Sequence, residues 1–321
     1  MRVLLTGCAG FIGMHCALRL LARGDEVLGA DSLSPYTSVE LKRDRLRRLE
    51  AERGFRFEQA DLAEGAACAR LVEAWRPELV LHLAAQPGVR YSLENPGAYI
   101  QSNLVAFAHL LEACRQRAPR HLVYASSSSV YGANAKLPWS EGDNVDRPVS
   151  LYAATKKANE LMAHVASHLH ALPATGLRYF TVYGPWGRPD MSPMLFARAI
   201  VEGKPIQVFN HGDMKRDFTY IDDAVEATLL VLDRPPAGTP PWRVLNVGNH
   251  QPVALLDYIA LLERALGKKA TLEMKPMQPG DVPATYADTR ALEALTGFAP
   301  ATPLKEGLAR FAEWFKSYRL E

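Results

Sequence analysis

A chain of 321 residues can bury one large core or two ordinary ones, and its 48% hydrophobic and 22% charged residues are the proportions of a water-soluble globular protein. With 37 basic against 35 acidic side chains the formal charge is +2, which gives no electrostatic reason to expect nucleic acid or an anionic membrane as partner. No apolar run reaches the ~18 residues that span a bilayer, so the protein is expected in the cytoplasm, where Cys8, Cys16, Cys68 and Cys114, lacking paired or metal-ligand spacing, stay reduced.

Residues 2–6 (RVLLT) form a short apolar strand pattern that runs into GCAGFIG at 7–13 and then an amphipathic stretch ending near Arg23-Gly24. In such a strand, turn and helix, Gly7 permits the tight turn, Gly10 lets backbone approach a pyrophosphate, and Gly13 lets helix and strand pack closely. The helix start would offer free N–H groups and a positive dipole end to the phosphates. The next strand, 26–30 (EVLGA), ends at Asp31. A carboxylate there can accept both ribose hydroxyls and repel a 2'-phosphate, favouring NAD over NADP; a cap or turn aspartate is the other reading. The charge run 42–53 (KRDRLRRLEAER) mixes signs at helical spacing and reads as a solvated helix face. A strand at 55–60 then ends at Asp61-Leu62, where the acid either holds an adenine amine or closes a turn.

Residues 79–83 (LVLHL) read as a buried strand, followed by Ala84-Ala85-Gln86, small enough for a dinucleotide to lie close. A helix from near Pro96 through Asn103 to about Arg117 precedes a strand at 121–125, which runs out in ASSSSVYG at 125–132. Next comes SLYAATKKANE at 150–160. Tyr152 and Lys156 are four apart, so they project from one helix face, and an ammonium beside a phenol stabilises the phenolate. Tyr152 could then act as a base near neutral pH, which a phenol at about 10 does poorly. Ser127, at a strand end, could meet the pair on one substrate hydroxyl. His164, His168 and His170 lack a carboxylate motif beside them and read as a solvent-facing helix, so no metal is expected. A further strand follows in ATGLRYF at 174–180.

Short apolar strands alternating with helices predict an α/β, doubly wound parallel sheet, and right-handed crossovers put every strand's carboxyl end on one edge. Gly7, Asp31, Asp61, Ala84, Ser127 and Phe180 all fall there. After Phe180 the alternation breaks into GPWGRPDMSPM, a helix through 196–202, the stretch KPIQVF at 204–209 and RDFTYIDDAVEATLLVLD; 233–241 (DRPPAGTPP) reads as a surface loop and 242–246 as a strand. Two amphipathic helices, around 255–266 and 304–318, close the chain. This change of composition fits a smaller mixed α/β C-terminal substrate domain.

With GCAGFIG, HLAAQ, YASSSSVYG, YAATK and RYFTVYGP in one order, the chain resembles the extended short-chain dehydrogenase/reductase family. Within it, AAQPGVRYSLENP, FTVYGPWGRPDM, VFNHGDMKRDFTYIDD and MQPGDVPATYAD are similar to the nucleotide-sugar epimerases acting on UDP-glucuronate. The resemblance implies a Rossmann NAD-binding domain over 1–180, with part of 214–248 returning to it, and a discontinuous UDP-sugar domain over 181–321. It also implies a homodimer through helices near 98–117 and 151–170. Tyr152 would be the catalytic acid/base, with Lys156 on the nicotinamide ribose and Ser127 on the reacting hydroxyl. Gly7, Gly10, Phe11, Ile12, Gly13 and Asp31 would hold NAD, with Asp61, Leu62, Leu83, Ala84, Ala85, Asn103, Ser126, Tyr179 and Phe180 beside them. Arg216 would clamp the UDP pyrophosphate and Asp281 meet the uridine ribose. Gln207 and Phe209 are placed with the substrate, and Gln278 stands where many relatives carry an arginine just before PGD.

The implied reaction oxidises carbon 4 of the sugar and reduces it again from the other face, the cofactor carrying the hydride. A uronic acid oxidised there is a β-keto acid, primed to lose carbon dioxide when its carboxylate bond aligns with the carbonyl π system. Ser128, Ser129 and Thr181 offer neutral donors to hold that carboxylate out of line, although serines at a strand end also cap backbone. Arg188 reads as a carboxylate or phosphate contact or as a loop salt bridge, and Arg90 as a sugar contact or a surface residue. The alternatives are a UDP-glucuronate decarboxylase, an epimerase for UDP-glucose or an N-acetylated sugar, and a non-catalytic NAD-binding sensor.

Overall fold

A computed structural model describes residues 1–278 and 281–318. The Pro279-Gly280 step of the MQPGDVPATYAD motif and residues 319–321 of the expected substrate domain lie outside them. Twelve strands follow one another among the described residues: β1 (Arg2–Thr6), β2 (Glu26–Asp31), β3 (Phe55–Gln59), β4 (Leu79–His82), β5 (His121–Ser127), β6 (Ala174–Tyr179), β7 (Thr181–Tyr183), β8 (Pro205–Val208), β9 (Lys215–Tyr220), β10 (Trp242–Val247), β11 (Pro252–Ala254) and β12 (Thr271–Met274). Seven of them make a parallel sheet in the order β10-β6-β5-β4-β1-β2-β3.

The apolar strands are continuous because both faces are covered. Val3 and Leu5 point into one cluster with Met14 and Ala17 of the helix Phe11–Ala22 and Ala224 of the helix Ile221–Leu232. Leu4 points into the other, with Leu71 of Gly65–Trp75, Phe107 of Ala106–Gln116 and Ala163 of Leu151–His170. The order reverses at β1, whose neighbours are β2 and β4, and an open α/β sheet leaves its crevice at such a switch point. Register aligns the carboxyl ends: Thr6 lies opposite Ala30 and His82, and Ser127 opposite Tyr179, itself opposite Val247.

Beyond β6 the chain builds a three-stranded sheet, β11-β9-β7, and a parallel pair, β12-β8. Between β9 and β11 the chain sends the helix Ile221–Leu232 and β10 back to the large sheet. The helix expected from 196 begins at Ser192, with Pro193 in its first turn, where a missing N–H is harmless. Two expectations are corrected. The helix expected from Pro96 to Arg117 is interrupted by a π-helical segment, Ile100–Val105, which buries Asn103. The charge run at 42–53 is not solvated throughout: in the helix Val39–Glu50, Leu41, Leu46 and Leu49 are buried and Arg45 is only 2% exposed. A guanidinium tolerates this when most of its donors find partners, and Arg45 Nη1 and Nη2 reach the carbonyls of Ala9, Trp186 and Gly187 while its Nε has no partner among the described residues.

Candidate active site

The turn after β1 leaves no room for side chains. Gly7 has φ +74°, and a Cβ there would fall 2.6 Å from the Ala84 nitrogen; one on Gly13 would fall 2.1 Å from the Gly7 oxygen. The helix Phe11–Ala22 starts at Gly10 with no side-chain cap and no acid in its first turn. Its free N–H groups and dipole therefore face a groove that suits an anion. Leu83, Ala84 and Ala85 floor the same groove, with Asp31, Asp61 and Leu62 at its far end. Asp31 accepts from the Ala9 N–H at 3.2 Å and the Leu33 N–H at 2.9 Å, leaving lone pairs free. Burial raises its pKa, opposed by those bonds and by the Lys42 ammonium. Asp61 closes its own turn, taking the Ala63 N–H at 2.9 Å, and still lines the groove.

At the other end stand Tyr152, Lys156 and Ser127. Ser150 caps the helix Leu151–His170 by accepting the Ala153 N–H at 3.1 Å, which sets the phase that puts Tyr152 and Lys156 toward β5. Lys156 Nζ donates to the Ala125 carbonyl at 2.8 Å, and burial lowers its pKa to about 8. One turn on, Glu160 is stapled to the same strand end. Ser126 Oγ donates to Glu160 Oε1 at 2.7 Å, and Arg178 docks on Glu160 with two 2.8 Å bonds. Burial raises the pKa of Tyr152, and the influences that pull it down are a hydrogen bond with Ser127 and the charge of Arg188.

Ser127 Oγ accepts the Ser129 N–H at 3.2 Å and donates to Ser129 Oγ at 3.1 Å, so the serine run does cap backbone. It also lines the site. Ser128, Ser129, Thr181 and Arg188 stand on the seam between the first groove and a second one. The second groove is walled by Arg90, Gln207, Phe209, Arg216 and Asp281. The salt-bridge reading of Arg188 holds: it makes a bidentate pair with Asp190, at 3.1 and 2.6 Å, while also lining both grooves. Arg90 lies over the Phe209 ring at 5.1 Å and 3.6 Å from Asp281, so this exposed side chain also walls the groove. Arg216 donates to the Lys215 and Pro283 carbonyls; burial lowers its pKa and Asp281 opposes that.

Of the residues expected to hold a cofactor, Asn103 alone does not line the first groove. Its amide is taken up by the Gln86 N–H at 2.8 Å, the Gln86 carbonyl at 3.1 Å and Thr155 Oγ1 at 3.0 Å, which ties the strand-end loop to the helix Leu151–His170. Ser126 and Tyr179 line the groove, but their hydroxyls turn away, to Glu160 and to Thr228 Oγ1. Sequence reading missed Tyr36, Lys42 and Asp190. Tyr36 lines both grooves and donates to Asp190 at 3.0 Å, and Lys42 Nζ bonds the Ser34 carbonyl at 2.6 Å beside Asp31. Only Asp190, two residues from Arg188 in GRPD, carried a local signal, as an adjacent opposite charge.

Residues 3–248 match the model of the NAD dependent epimerase/dehydratase family. The chain is 49% identical over 335 residues to the "Probable UDP-glucuronate 4-epimerase" of Rhizobium meliloti (strain 1021), covering 99% of this chain and 98% of that one. It is 46% identical over 330 residues to UDP-glucuronate 4-epimerase 2 of Arabidopsis thaliana, covering 98% and 76%. Among solved structures, the UDP-glucuronic acid 4-epimerase of Bacillus cereus in complex with UDP-glucuronic acid and NAD superposes with a TM-score of 0.92 at 34% identity, over 99% of both chains.

Proposed function

The chain belongs to the NAD dependent epimerase/dehydratase family, and from that premise we propose that it inverts carbon 4 of UDP-glucuronate to give UDP-galacturonate through a transient 4-keto sugar. The observation that carries this reading is the placement of Tyr152, Lys156 and Ser127 beside the seam of two grooves, one floored by the glycine turn and the other walled by arginines. The first groove fits NAD: a cradle that a Cβ at Gly7 or Gly13 would fill, an uncapped helix start for the pyrophosphate, and Asp31 for the ribose. The chemistry NAD supplies when bound is removal of a hydride from carbon 4 and its return. It is regenerated each turnover and is expected to copurify with the protein.

Tyr152 takes the proton of the 4-hydroxyl and gives it back after the keto sugar has turned over, while Ser127 holds the same oxygen. Lys156 meets the nicotinamide ribose and adds positive charge beside the phenol. Ser128, Ser129, Thr181 and Arg188 hold the carboxylate out of line with the carbonyl π system. Arg216 clamps the pyrophosphate with a planar fork of donors, Asp281 takes the uridine ribose, and Arg90, Gln207 and Phe209 wall the nucleotide's end. Residues 1–180 with part of 214–248 serve as the NAD unit and 181–321 as the sugar unit.

The protein is proposed to act in the cytoplasm as a homodimer through helices near 98–117 and 151–170. Leu161, Val165 and Leu169, 53–64% exposed on one helix face, support that surface. Among the described residues no helix is long and apolar enough to cross a membrane. Incubating purified protein with UDP-glucuronate tests the activity. UDP-galacturonate is the expected product; carbon dioxide with a UDP-pentose would identify a decarboxylase, and exclusive turnover of UDP-glucose or an N-acetylated sugar another epimerase. No turnover of any UDP-sugar would leave a non-catalytic NAD-binding protein.

A further inference from the structure

The loop 32–38 follows β2 on the cofactor side of the molecule, and the loop 184–191 follows β7 and carries Arg188 to the substrate side. Tyr36 joins them. Its hydroxyl donates to Asp190 Oδ2 at 3.0 Å, and Asp190 in turn receives Arg188 Nε on Oδ1 at 3.1 Å and Nη2 on Oδ2 at 2.6 Å. The Tyr36 ring lies on Tyr91 at 4.6 Å, and Gly88, where a Cβ would fall 2.7 Å from the hydroxyl, leaves it room. The same loop is gripped a second time just before Arg188. Arg45 Nη2 donates to the Trp186 and Gly187 carbonyls at 2.6 and 3.1 Å, and its Nη1 to Ala9 in the glycine turn at 3.1 Å. Arg188 is therefore held on both sides by residues of the cofactor half.

An arginine side chain has many rotamers, and a fork docked on one carboxylate keeps few of them. The carboxylate must itself be held for this to matter, and a charge-assisted bond from a phenol packed against Tyr91 does so. We propose that Tyr36, acting through Asp190, is a positioning residue that fixes Arg188 at the seam where the uronate carboxylate is gripped. The loop over the cofactor and the carboxylate grip then form as one unit. The inference rests on the reading of Arg188 as a carboxylate contact.

Tyr36→Phe keeps the ring and its packing on Tyr91 and removes one bond. Assayed on the NAD-containing enzyme, it is expected to raise KM for UDP-glucuronate about fivefold to tenfold with kcat changed less than about twofold, the size of one lost charge-assisted bond. The share of UDP-pentose among the products is expected to rise. In an Arg188→Met background the same substitution is expected to change neither quantity. A Tyr36→Phe enzyme with the parent's KM and products, or an equal loss in both backgrounds, overturns the inference while leaving Arg188 its role. Arg188→Met with unaltered KM and products removes the carboxylate reading itself and the inference with it. Should Tyr36→Phe lose its cofactor, Asp190→Asn crossed with Arg188→Met measures the same coupling.

Discussion

The two grooves are made of different material. The first is mostly backbone and small residues: the glycine turn, the start of the helix Phe11–Ala22 and the ends of parallel strands, all delivered to one edge by the topology of the sheet. The second is walled by long side chains from segments far apart in sequence, such as Arg90 against Phe209 and Asp281. A backbone site recognises what relatives with different substrates share, and it fails abruptly when any atom is added. A side-chain site is built from separable contacts, so it can be retuned one residue at a time, and its losses are graded.

That contrast can be broken or sharpened by substitution. The largest effect is expected where the grooves meet. Tyr152→Phe should lower kcat by about a thousandfold or more, the scale of acid/base catalysis, with NAD content of the purified protein unchanged. Retained turnover would mean that the phenol is not the proton carrier. Gly13→Ala places a Cβ 2.1 Å from the Gly7 oxygen. It should cost about 3 kcal/mol in thermal or urea unfolding and strip the protein of cofactor; a stable, NAD-loaded variant would show that the turn can yield.

On the side-chain groove the response should be smaller. Arg216→Lys replaces a planar fork by a point charge and is expected to raise KM for UDP-glucuronate about tenfold with little change in kcat, read from initial rates. The mildest effect is in pH. Lys156 is cationic below about 8 and loses its charge above that value, since burial penalises the ammonium. Activity should therefore fall by a few-fold as pH rises through about 8, and Lys156→Met should abolish that limb of the profile.

How much was legible follows the same division. Gly7, Asp31 and Asp61 could be found because each sits at or just past the end of a strand whose period and length are written locally, and Gly10 and Gly13 because they carry the glycine turn into the helix that follows. The structural work of Asn103 was not legible because a buried amide beside a ligand and a buried amide that ties Gln86 to Thr155 leave the same letter in the sequence. Arg45 was read as solvated because its charge is visible in the sequence, whereas the carbonyls of Ala9, Trp186 and Gly187 that receive its Nη1 and Nη2 are gathered only by folding. Tyr36 lies in a turn-rich stretch with no period, and its partner Asp190 is 154 residues away.

The sequence by itself therefore determined the sheet, the glycine turn, the strand-end acids and the spacing of Tyr152 and Lys156, since hydrophobic period, turn chemistry and helical pitch act over a few residues. Tertiary structure alone decided which charges are paired, which way the Lys156 ammonium and the Ser126 hydroxyl turn, and that the distant Arg188 also bears on the phenol. Hydrogen bonds and ion pairs are satisfied by whatever group the fold brings within about 3 Å, and that distance carries no trace of separation along the chain.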